Sequence, residues 1–172
     1  MFKTKKIVLT AVCVALGVVL PMAFHAIPNA GSIFLPMHIP VLLCGLVCGW
    51  PFGLACGLLA PLLSSLLTGM PPMAYLPSML CELAAYGLIA GILSQALHFK
   101  NRALNLYVPL VSAMLIGRVV YGLINALIFR AGQYGLQLWL TASFVTALPG
   151  ILIQLILIPL LILALRRAKV AA

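Results

Sequence analysis

Arg118 lies in the middle of residues 104–130, LNLYVPLVSAMLIGRVVYGLINALIFR, an otherwise apolar stretch long enough to cross a bilayer. A guanidinium at that depth costs from about 3 to more than ~10 kcal/mol, depending on the reference state, unless something solvates it. At helical spacing Tyr121 and Asn125 follow at i+3 and i+7, so a phenol and an amide share its face. That face is expected to turn into a bundle. Glu82, the single acidic residue of the chain, sits in the preceding apolar stretch, which should run antiparallel. From the helical rise, Glu82 lies roughly 8 Å and Arg118 roughly 18 Å below the same surface, an offset of roughly 10 Å. An extended arginine or a small ligand can bridge that distance. Two readings follow: an ion pair that locks two helices, or a polar ligand pocket near that surface, with Asn125, Tyr121 and Gln154 adding hydrogen bonds.

His38, two residues after Pro36, either caps the loop before it or contacts a ligand. Phe34, Tyr75 and Trp139 fall at interface depth, where aromatic residues anchor helices in the membrane. Phe34 and Tyr75 are also carried as ligand walls, because their loops cover the side on which the pocket would open.

Other chemistry fails for want of residues. With no aspartate and one glutamate, an aspartyl protease lacks its second carboxylate and a magnesium-dependent transferase its acidic cluster. Ser64 and Ser65 have no G-x-S-x-G context, and His25, His38 and His98 are scattered. No G-x-x-x-x-G-K-[ST] occurs, so an ATP-driven process would need its motor on another subunit. Cys13, Cys44, Cys48, Cys56 and Cys81 all fall in apolar segments and read as small packing residues, not as a metal site. The expectation is a binding protein, not an enzyme, with no cofactor and no metal.

The elements that must position these residues are membrane helices. Of 172 residues, 65% are apolar and 6% charged, and the mean hydropathy of +1.27 lies far outside the range of a soluble domain. The pattern predicts an all-α integral membrane protein, a single domain over residues 1–172. Its six spans fall at about residues 7–24, 34–48, 52–67, 77–97, 104–130 and 141–165. No cleaved signal is expected after the basic start. Residues 25–36 and 68–76 read as uncharged, proline-containing loops, and residues 131–140 as a glycine-broken connection. Pairs of small residues four apart recur: Ala11 and Ala15, Gly45 and Gly49, Gly53 and Gly57, Gly87 and Gly91. Such spacing lets helix backbones approach closely.

The net charge of +9 does not point to nucleic acid, because the cations gather at span ends. Lys3, Lys5, Lys6, Lys100, Arg102, Arg166, Arg167 and Lys169 fall on one side of six spans, against Arg130 on the other. By the positive-inside rule both termini are cytoplasmic.

Four segments resemble a known family. Residues 10–21 read TAVCVALGVVLP, residues 34–45 FLPMHIPVLLCG, residues 51–72 PFGLACGLLAPLLSSLLTGMPP and residues 82–87 ELAAYG. With the six spans, they resemble the substrate-binding S components of energy-coupling factor (ECF) transporters over essentially the full length. The resemblance implies a multi-pass subunit of a vitamin or micronutrient importer in a prokaryotic plasma membrane. It implies a pocket near the outer face, closed by residues 25–36 and 68–76. It also implies docking through Ala11 and Ala15 onto a transmembrane coupling protein (T component) that carries two ATPases, and toppling of the S component during transport.

The ligand stays open at this point. An arginine beside a carboxylate suits a zwitterion, a carboxylated vitamin would pair with Arg118 alone, and a flat heterocycle would use Glu82 as acceptor and Phe34 or Tyr75 for stacking. Two other functions compete with the importer subunit. One is a stand-alone proton-coupled carrier using Glu82 and Arg118; the other is an assembly subunit in which those residues only pair with each other.

Overall fold

Glycine and proline mark where one apolar run stops and the next begins. Gly49, at φ +95°, turns the chain between two helices, and Pro51 enters the first turn of the second, where its missing N–H costs nothing. Gly69, at φ +72°, ends that helix, and Pro77 and Pro149 open later ones in the same way. The computed structural model describes residues 3–24, 29–129 and 134–168, all without strand. Arg130, Lys169, residues 25–28 of the first loop and residues 131–133 of the last connection lie outside this range.

The helices are α1 (Lys3–Ala23), α2 (Ala30–Phe34), α3 (His38–Cys48), α4 (Trp50–Thr68), α5 (Leu76–Ala96), α6 (Leu104–Ile124), α7 (Leu136–Leu140) and α8 (Leu148–Arg167). A π-helical turn, Asn125–Phe129, extends α6, and another, Thr141–Thr146, follows α7. Six stretches among the described residues are long and apolar enough to cross a membrane: α1, Ala30–Cys48, α4, α5, Leu104–Ile128 and α8.

Two expectations shift. The first loop is not irregular throughout: it holds α2, bounded by Asn29 at φ 59° and Leu35 at φ 52°. The left-handed turn at Leu35 redirects the chain, with the Leu35 N–H donating to the Gly31 carbonyl and the His38 N–H to the Leu35 carbonyl. The last span starts at Leu148, not near residue 141. Pro149 stands in the first turn of α8, where its missing N–H leaves no partner unsatisfied, and residues 141–146 wind with α7.

At the centre, α3 touches α1, α4, α5, α6 and α8. On one side of it α4 and α5 meet backbone to backbone. A Cβ on Gly53 or on Gly87 would collide with the backbone of the other, and a Cβ on Gly57 with the Leu83 carbonyl. The glycine spacing therefore marks a real seam. Cys13, Cys44, Cys48 and Cys56 are buried as free thiols beside it, with the Cys44 Sγ near the Thr10 hydroxyl and the Phe52 carbonyl, 3.5 Å from each. No group of His, Cys, Asp or Glu among the described residues is arranged to hold a metal.

Candidate functional site

Three helices bring the ionisable residues together. His38 is the first residue of α3, delivered inward by the turn at Leu35; Glu82 lies in the second turn of α5; Arg118 lies within α6. Glu82 Oε1 stands 3.5 Å from His38 Nε2 and 3.4 Å from Arg118 Nη1, and the three residues are 2–6% exposed. These distances exceed those of strong charge-assisted hydrogen bonds, so the Glu82–Arg118 contact is ionic with hydrogen-bonding capacity unspent, and the imidazole of His38 lies on the other side of the same oxygen. Arg118 Nη2 and both ring nitrogens of His38 are buried without a hydrogen-bond partner. Tyr86, one turn after Glu82, packs edge-on to His38 at 5.0 Å and interacts with Glu82 and Arg118. Gly117 makes room for it: a Cβ there would lie 3.1 Å from the Tyr86 ring.

The cluster forms part of the wall of a cavity of about 460 Å³. The rest of the wall comes from the end of α1 (Pro21, Phe24), from α2 and the turn after it, from residues 70–72, from Tyr75 and Met79, and from Tyr121, Ala142 and Ser143. Ser64 and Ser65, unsuited to catalysis by context, tie this wall in place. Their hydroxyls donate to the Met70 and Pro71 carbonyls at 2.7 and 2.8 Å.

Of the residues singled out in the sequence, His38, Tyr75, Glu82, Arg118 and Tyr121 line the cavity. Phe34 instead stacks on Phe24, with centroids 5.3 Å apart, and lines a neighbouring, wholly apolar groove of about 310 Å³ between α1, α3 and α8. Asn125 is buried off the wall, its amide donating to the Tyr121 carbonyl at 2.8 Å. Gln154 is fully buried on α8, also off the wall, with neither amide atom hydrogen-bonded. Ala11 and Ala15 both lie on the exposed side of α1, among Val8, Val12 and Val19.

Several residues of the site escaped the sequence. Tyr86 was within reach, because it follows Glu82 at i+4 on the same face. Ser143 and Met79 carry no distinguishing signal. Trp139 folds back from α7 over Gly122, and its indole N–H donates to the Arg118 carbonyl at 2.9 Å. Only the path of the connection reveals this contact.

A cavity of this size, with a charged cluster in its wall inside an apolar bundle, has the room and the polar groups to hold a small polar molecule. The family model for the ECF transporter substrate-specific component matches residues 5–162. Neither the curated proteins nor the solved structures gave a match. Nearly the whole chain is thus covered by one family, and this multi-pass membrane protein belongs to the substrate-specific components of ECF transporters.

Proposed function

We propose that the cavity beside His38, Glu82 and Arg118 binds a vitamin or related micronutrient and that the chain is the non-catalytic binding subunit of an ATP-driven importer. The observation that carries this reading is the cavity of about 460 Å³ with the chain's only carboxylate in its wall. Substrate-specific components of this family work with a transmembrane coupling protein and ATPases. Here two ATPase subunits and a T component would complete the transporter. Ala11 and Ala15 are the proposed contact to the T component, since both are exposed and small on α1 and leave a flat strip for another helix.

The clustering of Lys3, Lys5, Lys6, Lys100, Arg102, Arg166 and Arg167 at helix ends supports cytoplasmic termini in a prokaryotic plasma membrane. In that orientation the cavity opens outward. His38, Glu82, Arg118, Tyr121 and Tyr75 would contact the solute directly. Asn125 would support the helix turn below Tyr121, and Phe34 and Gln154 would shape the surroundings.

Proteoliposomes test the reading. The small molecules released from purified protein by denaturation, identified by mass spectrometry, are offered back to vesicles. Vesicles with the chain alone should bind but not accumulate them, and vesicles with the coupling protein and ATPases should accumulate them when ATP is inside. Accumulation by the chain alone under a proton gradient would replace this account with a proton-coupled carrier.

A further inference from the structure

The polar groups in the cavity wall are unbalanced. Arg118 brings five N–H donors in a rigid plane, and Ser143 and the His38 ring each bring a further N–H or O–H. Neutral acceptors stand there too, at Asn29, Ser32, Tyr75 and Tyr121, but the one anionic side chain is Glu82, whose Oε1 lies between His38 and Arg118. Glu82 Oε1, Arg118 Nη2, His38 Nδ1 and Ser143 Oγ are all buried without a hydrogen-bond partner. The backbone carbonyl of Arg118 accepts the Trp139 indole N–H. What the wall lacks is a second anionic group.

Charge points the same way. Glu82 and Arg118 cancel, so an added cation would leave a positive charge in an apolar bundle with no second carboxylate to offset it. An added anion leaves a negative charge, and His38 can offset that by taking up a proton. The titratable and charged groups facing His38 are Glu82 and Tyr86 from α5 and Arg118 from α6.

Resting on the cavity as the solute site, we propose that it selects molecules whose recognised end is a carboxylate, excludes cations, and takes up one proton from solvent on His38 as the carboxylate binds. The carboxylate accepts from Arg118 Nη2 and the Ser143 hydroxyl, while Glu82 keeps its place between His38 and Arg118.

Three probes of matched ring size test this on the purified, solute-free protein: benzoate, benzamide and benzylamine. Benzoate should raise the unfolding temperature most and bind at least about tenfold tighter than benzylamine, as a charge-assisted hydrogen bond implies. Calorimetry of benzoate in buffers of different ionisation heat should read uptake of about one proton, absent in His38→Gln. In a Glu82→Gln background, which avoids a stranded charge, adding Arg118→Gln should abolish the preference for benzoate. Equal or tighter binding of benzylamine, no response to any probe, or benzoate binding without proton uptake would each overturn the proposal. A cationic solute found on the purified protein and accumulated with ATPase partners would overturn it while leaving the importer reading intact. Accumulation by the chain alone would sink only the importer reading.

Discussion

Along the α4–α5 seam two backbones touch, with Gly53 and Gly87 leaving no side chain between them, whereas the chain around α6, α7 and α8 departs from α-helical winding. On that second side lie the π-helical turns at Asn125–Phe129 and Thr141–Thr146, and Arg118, Asn125, Ser143 and Gln154 are buried there. The contrast separates two tasks. A seam without side chains has one way to pack and holds Glu82 on a fixed support, and α3, which carries His38, packs closely on it through Gly45 against Gly87. The other side sends Arg118, Tyr121, Ala142 and Ser143 to the cavity wall, the last two from a π-helical turn, and such turns are common where helices build functional sites. Glu82 and Arg118 join the two halves.

The comparison predicts a graded set of losses. Gly87→Leu puts a side chain into the backbone of α4 with nothing flexible to yield, so it should cost more than about 3 kcal/mol and leave almost no folded protein in detergent. Fluorescence-detected size exclusion would show this as loss of the monodisperse peak. Arg118→Ala strands a buried carboxylate and should destabilise by about 3–5 kcal/mol, whereas the double variant Glu82→Gln, Arg118→Gln should recover most of that stability. Thermal unfolding of the three proteins measures the difference. If the double variant also keeps its solute, the pair is scaffolding alone.

Smaller effects should follow away from the seam. Trp139→Phe removes one hydrogen bond to the Arg118 carbonyl, a loss of about 1 kcal/mol in stability, with weaker solute binding as α6 loosens. Ala15→Leu sits on an exposed face and should change stability by less than about 0.5 kcal/mol. Under the proposed docking it should still block ATP-driven uptake, so binding and transport assays would separate on this variant.

How far the sequence reached follows the same division. The glycine pairs, the turn at Gly49 and the apolar runs are local signals, and the helices form where those signals stand. The proximity of Glu82 and Arg118 was legible because a bilayer makes depth countable along neighbouring antiparallel helices. His38 joining them was not, since it depends on the left-handed turn at Leu35, which a leucine gives no reason to expect. Phe34 and Tyr75 looked equivalent by depth, yet α2 turns Phe34 onto Phe24 while Tyr75 reaches the cavity. The contact of Trp139 with Arg118 depends on how residues 134–147 fold back, which no periodicity encodes.

Native mass spectrometry of the purified wild type beside the Glu82→Gln, Arg118→Gln variant tests the central claim most directly. The wild type should carry one defined small-molecule adduct, and the variant, folded by its unfolding temperature, should carry none. A wild type with no adduct after purification from cells and no binding when extracts are added back, or a variant that retains the same adduct, would contradict the account.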